Sequence, residues 1–345
     1  MKILIVKLSS IGDVVHGIAF VNRLKEAMPD AHVDWMVNDA FAGLVKNVRG
    51  VRRVWHFRRA AWGKEWHRPR TWGEIATLMS WVRREQYDIC IDLQGLLRSG
   101  LVTALSGAKV RAGFSNAREG SRWLYSHKVE PGGQPHAVAV LFRALSLFAI
   151  APPPLPDFTF DIPAQSAAQV DALLEGLGIR GSFVVFHVGA RWKTKMWPAA
   201  HWHALAGDVR ATSGLPVVFT GSEADVPLIN QIIDGRDGLY NLAGGLGLVE
   251  SSALLARCAL MVTVDSGPMH IAAAFNRPIV AIFGPTSPQK TGPVSRGPID
   301  ILRAKRNCMP CFSRACKRKH ECMEEVTPAD AGRQVMAMIE FLKKG

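Results

Sequence analysis

Apolar residues along the chain follow two alternating rhythms. Residues 2–8 are dominated by Ile, Leu and Val, and short runs of the same character recur at 32–37, 87–93, 183–188, 216–220, 260–264 and 278–283. A short run that is apolar on both faces is what a parallel strand covered by helices requires. Between these runs the apolar positions fall at helical spacing, over residues 14–28, 71–85, 166–177, 199–212, 225–233, 248–257, 268–275 and 328–342. Strand and helix in alternation predict an α/β protein built on parallel sheets.

The alternation is interrupted by the Pro-rich residues 151–156 and the segment that follows them. Two doubly wound, Rossmann-like domains are therefore expected, over residues 1–157 and 165–326, with a last helical segment, 328–345, packing back on the first domain. A length of 345 residues exceeds what one core usually serves. The apolar share of 48% with 21% charged residues excludes disorder, collagen and coiled coil as descriptions of the whole chain. The opening residues carry only four apolar positions between Lys2 and Lys7, too few for a secretory signal. The stretch 137–151 contains Arg143 and runs into three prolines, short of the about 20 residues of a membrane span. A cytoplasmic address is the expectation.

Charge sharpens the picture. Residues 1–150 hold 22 Lys and Arg against 12 Asp and Glu, residues 151–300 hold 10 against 12, and the remainder 10 against 5. An anionic partner is thus expected on the first half. Between positions 52 and 70, Arg52, Arg53, Arg58, Arg59, Lys64, Arg68 and Arg70 face one acid, Glu65, and are interleaved with Trp55, Trp62, Trp66 and Trp72. Arginine suits phosphate and carboxylate oxygens, and tryptophan suits a lipid–water boundary. The combination suits an anionic partner, either a membrane surface or a polyanionic substrate held at one. Nucleic acid would leave the anion-binding turns of the second half without a role.

Ligands of open parallel sheets bind beyond the carboxyl ends of the strands. After the first run stand Ser9, Ser10, Ile11, Gly12 and Asp13, where Asp13 either caps the next helix or faces the ligand as a base. After 183–188 comes a basic loop in which Lys195 can neutralise a phosphate. After 260–264 come Asp265, Ser266, Gly267, Pro268, Met269 and His270. The amides of Ser266, Gly267 and Met269 would form an anion cradle, with His270 either a core residue or a ligand. After 216–220, Glu223 or Asp225 is placed to meet ribose hydroxyls. G-x-x-x-x-G-K-[ST] does not occur, and the one G-x-G-x-x-G, Gly176 to Gly181, follows a helical run and precedes a strand, the reverse of the dinucleotide-binding order, which speaks against nicotinamide chemistry and P-loop phosphoryl transfer. Cys90 and Cys258 read as core residues. Cys308, Cys311, Cys316 and Cys322 form a cluster whose spacing is open to a structural metal, free thiols or disulfides.

Six segments occur in the order of the landmarks of the lipopolysaccharide heptosyltransferases, and the chain resembles that family over nearly its whole length. They are Ser9-Ser10-Ile11-Gly12-Asp13, Asp92-Leu93-Gln94-Gly95-Leu96, Lys195-Met196-Trp197-Pro198, Thr220-Gly221, Asp265-Ser266-Gly267-Pro268-Met269-His270 and Phe283-Gly284-Pro285-Thr286. The resemblance implies a GT-B architecture, two Rossmann-like domains facing each other across a cleft, and inverting transfer from ADP-heptose without a catalytic metal or further cofactor. The absence of D-x-D, the usual carboxylate pair for a diphosphate-bound divalent ion, is in keeping with it.

The resemblance further implies Asp13 as general base. Ser10, Gly12, Lys195, Asp265, Ser266, Gly267, Met269 and His270 would hold the donor, with Glu223 or Asp225 at ribose and Leu246 near adenine. Lys7, Arg58, Arg59, Gln94, Arg98 and Arg118 are the acceptor candidates. The first half is most similar to heptosyltransferase I, through residues 92–99 and 117–119, whereas residues 306–323 resemble the cysteine-bearing tails of heptosyltransferase II-like members. Kdo on lipid A is the expected acceptor, with the first heptose as the alternative. A monomer peripheral to the cytoplasmic face of the inner membrane is expected. The rival from another class is a non-catalytic nucleotide-binding regulator or membrane-surface scaffold.

Overall fold

The structure is a computed structural model that describes residues 1–133, 136–319 and 321–344. The chain divides into two compact units, Met1–Asp161 and Ile162–Gly345. The first holds strands β1 (Lys2–Val6), β2 (His32–Asn38), β3 (Val51–Phe57), β4 (Ile89–Asp92), β5 (Val110–Phe114) and β6 (His127–Val129), in the order β3-β2-β1-β4-β5-β6. The second holds β7 (Val184–His187), β8 (Val217–Thr220), β9 (Leu239–Asn241), β10 (Leu260–Val264), β11 (Ile279–Phe283) and β12 (Ile299–Arg303), in the order β12-β11-β10-β7-β8-β9. Every pairing is parallel. Counted from its own first strand, each sheet has the doubly wound order 3-2-1-4-5-6, so strand order reverses between β1 and β4 and again between β7 and β10.

The central strands form because their side chains are apolar on both faces. Ile3, Leu4, Ile5 and Val6 are fully buried, as are Leu260, Met261, Val262 and Val264. The helix Ile11–Ala27 covers β1, and its Gly17 makes room for β2: a Cβ there would stand 2.7 Å from the Trp35 ring. Trp35 thereby reaches the turn after β1 and donates its indole hydrogen to the Lys7 carbonyl at 3.2 Å. In the second unit Phe186 meets Phe219 and Trp202 at ring separations of 5.4 and 5.3 Å, and Trp197 meets Trp202 edge-on at 5.0 Å.

The last helix, Pro328–Lys344, belongs to the second unit, where its apolar face, Ala331, Val335, Met338 and Ile339, completes the core beside the helix Ala199–Ser213. One sequence expectation is revised. The basic residues at 52 and 53 lie on a strand and serve the fold. Arg52 pairs with Asp34 at 2.6 Å and Glu85 at 2.7 Å, and Arg53 also pairs with Glu85. Asp34 is fully buried and further accepts from the Tyr87 hydroxyl, which in turn accepts from the Trp55 indole at 2.8 Å. A buried carboxylate needs such partners, so these arginines and Trp55 are committed to structure.

Candidate functional site

The register sets the ends of the central strands level, with Val6 beside Asp92 and His187 beside Thr263. The loops that follow them therefore leave each sheet at its point of order reversal, where a crevice opens.

In the first unit the β1 loop enters the helix Ile11–Ala27 through a capping box. Asp13 Oδ2 accepts from the Ser10 amide at 2.9 Å and from the Ser10 hydroxyl at 2.8 Å. Asp13 Oδ1 stands 3.5 Å from Lys7 Nζ, and the carboxylate side chain remains 41% exposed. Burial alone would raise its pKa. The Lys7 ammonium, the Ser10 hydrogen bonds and His16 outweigh this and lower it to about 2. Asp13 is thus both a cap and an ionised, partly accessible carboxylate. Gly12 is buried beneath it.

Lys7 does not project outward as an acceptor contact would. It is buried, donates to the Leu93 carbonyl at 2.7 Å, and so ties the β1 and β4 loops together while holding Asp13 ionised. Gln94 bridges the same two loops, its side-chain oxygen accepting from the Ser9 amide at 3.0 Å. Asp92, which the sequence marks only as part of a motif, shapes this loop. It accepts from the amides of Gln94 and Gly95 at 2.8 and 2.9 Å and from the Tyr125 hydroxyl at 2.7 Å. Burial pushes its carboxyl above the usual range despite these bonds. Arg98 and Arg118 are exposed nearby, and the Arg118 amide donates to the Gly95 carbonyl at 2.9 Å.

In the second unit the β7 and β10 loops meet directly. Lys195 Nζ lies 2.7 Å from Asp265 Oδ2, an oxygen that also accepts from Thr286 Oγ1 at 2.6 Å. Lys195 additionally stacks on Trp192, 4.8 Å from the ring centre. The helix Gly267–Ala274 starts beside this pair with Pro268 in its first turn. Its N-cap residue, Ser266, directs its hydroxyl to Thr263 Oγ1 at 3.1 Å and makes no side-chain cap bond to the first-turn amides. Those amides and the helix dipole are suited to an anion. Met269 and His270 are buried, so Met269 can offer only its backbone amide there.

Of the two acids after β8, Asp225 is built into the turn. It accepts from the Ser222 amide at 2.8 Å and the Ser222 hydroxyl at 2.7 Å, and it packs against two glycines. A Cβ on Gly189 or Gly221 would fall within 2.8 or 2.9 Å of the Asp225 side chain. Glu223 is exposed, with Gly244 of the following loop close against its backbone, and Leu246 is half-buried in that loop. His187, at the end of β7, hydrogen-bonds Thr220 Oγ1 at 3.0 Å, and burial lowers its pKa to about 4, which keeps the ring neutral.

The basic, tryptophan-bearing segment divides in two. Trp55 and Trp62 are buried, contrary to an interfacial role, because their indoles are satisfied by Tyr87 and Glu74. Arg58 pairs with Glu74 at 3.0 Å, Arg59 is half-buried, and Arg68 and Arg70 pair with Glu65 and Glu74. Trp66 and Trp72 remain 66% and 59% exposed, and Trp123 is 70% exposed beneath Arg122 and Lys128. Among the described residues no helix is long and apolar enough to cross a membrane. Cys90 and Cys258 are buried, and burial raises both thiols to about 12, as core residues require.

The pattern of glycosyltransferase family 9 (heptosyltransferase) matches residues 75–321. Lipopolysaccharide heptosyltransferase 1 of Pseudomonas aeruginosa is 32% identical over 322 residues, covering 92% of this chain and 87% of that protein. The protein of the same name from Escherichia coli K12 is 29% identical over 328 residues, covering 92% and 99%. A solved structure of the E. coli heptosyltransferase WaaC with ADP-2-deoxy-2-fluoro heptose superposes with a TM-score of 0.78 at 25% identity, covering 98% of this chain and 99% of that one. The two doubly wound sheets, the polar turns at their reversal points and these similarities agree: the chain belongs to glycosyltransferase family 9, the heptosyltransferases.

Proposed function

We propose that this chain transfers heptose from ADP-heptose to the Kdo of lipid A, inverting the anomeric centre without a catalytic metal. The observation that carries the reading is the Lys195–Asp265 pair set beside an N-terminus whose first-turn amides no side chain caps. In the transfer, an acceptor hydroxyl oxygen bonds to the anomeric carbon as the bond from that carbon to the diphosphate oxygen breaks. The electron pair leaves with ADP, and the hydroxyl proton passes to Asp13. A carboxylate with so low a pKa is a weak base, so it takes the proton late, once the attacking oxygen has become acidic. Negative charge growing on the diphosphate is met by Lys195 and the amides after Ser266, the fixed electrostatic stabilisation that such a leaving group needs.

In this reading Glu223 takes the ribose hydroxyls, because Asp225 is already engaged in its turn. Leu246 borders the adenine, and Ser10 and Gly12 border the sugar. Gln94, Arg98 and Arg118 meet the acceptor on the other side of Asp13. Arg58 and Arg59 contribute to the basic surface around it. The exposed Trp66, Trp72 and Trp123, set among arginines, support a monomer resting on the anionic cytoplasmic face of the inner membrane.

Separate incubation of ADP-heptose with Kdo-lipid A and with its heptosylated product tests the reading. Transfer to the first acceptor is expected. Transfer only to the second would make the chain the enzyme of the second heptose, and ADP binding with no transfer to either would make it a nucleotide-binding regulator.

A further inference from the structure

The segment that follows β12 carries the four clustered cysteines, and none of them has a place in the transfer chemistry. Cys308, Cys311, Cys316 and Cys322 all line one cavity of about 20 Å³, room for a single water-sized species. All four are free thiols in the structure. The backbone amide of Arg318 already donates to Cys316 Sγ at 3.4 Å, the kind of bond that steadies a thiolate. Arg306, another wall of the cavity, is anchored to Glu321 and Glu325 at 2.6 Å each.

We propose that these four cysteines bind one thiophilic divalent metal ion, zinc or ferrous iron, as a structural site that braces the donor-binding loops. Four thiolates in a small cavity match the ligand type and number such an ion prefers. Among the described residues no three His, Cys, Asp or Glu side chains stand in a ready ligating arrangement. Binding therefore requires the sulfurs to draw in around the ion, the usual coupling of a metal to local folding. The consequence reaches the donor turns through three contacts. The Ser313 carbonyl accepts from Thr194 Oγ1 at 2.9 Å, one residue before Lys195. The Phe312 amide donates to the Pro285 carbonyl at 2.8 Å, one residue before Thr286. The Arg314 guanidinium lies 5.2 Å from the centre of the Trp192 ring on which Lys195 also rests.

The test uses the full chain purified under reducing conditions, with metal content measured by plasma mass spectrometry and the stripped protein titrated with cobalt(II) alone. About one ion per chain and the charge-transfer and ligand-field bands of a tetrahedral thiolate site are expected. The C308S/C311S variant should bind cobalt at least about tenfold more weakly, whereas C90A should bind it normally. Stripped protein should show a raised KM for ADP-heptose that zinc or ferrous iron restores. Fully reduced protein that takes up no cobalt would overturn the proposal. So would unchanged binding by C308S/C311S, or disulfides among the four cysteines in protein isolated without reductant. The metal titration needs no sugar transfer, so bound cobalt in an inactive protein would count against the heptosyl-transfer reading and leave this one standing.

Discussion

Lys195 Nζ stands 2.7 Å from Asp265 Oδ2, which joins the loop after β7 to the loop after β10 at the reversal point of the second sheet. Asp265 is buried, so the pair has two duties: it neutralises a carboxylate and it holds a cation beside a helix start. Substitution separates them. K195A should lower kcat by about 10²–10³-fold, the scale of losing one fixed transition-state contact. It should also destabilise the fold by roughly 3 kcal/mol, because a buried charge loses its partner. K195A/D265N should recover most of the melting temperature and none of the turnover. Recovery of turnover in the double variant would remove Lys195 from the chemistry.

Asp13 offers a similar separation. Asn at this position keeps an oxygen for the Ser10 amide but cannot take a proton. D13N should therefore keep the cap but lose the ion pair with the buried Lys7, so that it melts below the wild type while kcat falls about 10²–10⁴-fold. D13A should lose the cap as well, at a cost of about 1 kcal/mol. Steady-state rates alongside calorimetry check both, and near-normal turnover by D13N would end the base assignment.

The pH dependence of the reaction follows from Lys7. Asp13 is held at about 2, so above that value it is ionised and gives no acidic limb to kcat/KM in the working range. In K7M the burial contribution stays and the ammonium is gone, so the carboxyl titrates higher and an acidic limb should move upward in pH. Stability has the same sign. A depressed carboxyl stabilises the fold above its unfolded value near 4 and loses that contribution as pH falls toward 2. The stability gap between wild type and K7M should thus narrow under acid. Rate profiles from about pH 4 to 8 for both proteins measure the first effect.

Gly189 and Gly221 leave room for the Asp225 side chain, and neither can gain a methyl group without displacing it. G189A and G221A should each cost about 1–3 kcal/mol. Both should weaken ADP binding by calorimetry, because the turn bearing Glu223 shifts with Asp225. A variant that melts and binds like the wild type would show that the turn tolerates the added carbon.

Membrane association makes its own demand. Replacing Trp66, Trp72 and Trp123 together by Ala should reduce sedimentation with anionic phosphatidylglycerol vesicles without changing the melting temperature, since all three rings are exposed. Equal sedimentation of the triple variant would relocate the contact or dismiss it.

The central strands are legible in the sequence because they are apolar on both faces, and a short continuous run of Ile and Val suits a strand buried between two layers of helix. β3, β6, β9 and β12 are not legible, and these are the four sheet edges. An edge strand lacks one neighbour and exposes part of its surface. β3 accordingly reads Val-Arg-Arg-Val-Trp-His-Phe, which looks like a basic patch until Asp34 and Glu85 are placed beside it. β5, with Arg111 and Gly113, escapes for a related reason: Gly113 gives its space to Tyr125, a contact that local pattern does not carry. The candidate site is easier, since polar turns after buried strands are visible as such. The role of Lys7 is hidden because a lysine at a strand end reads as exposed, and only the fold shows it capped by the Leu93 carbonyl and turned toward Asp13.

Since the reactive turns hang from the middle of each sheet, the margins are available to a protein engineer. Residues 234–238 enter β9 at one rim of the second sheet, with the Asp237 side chain almost wholly in solvent. A fluorescent reporter spliced there would ride on the enzyme at the end of β9 opposite to the loop that carries Leu246.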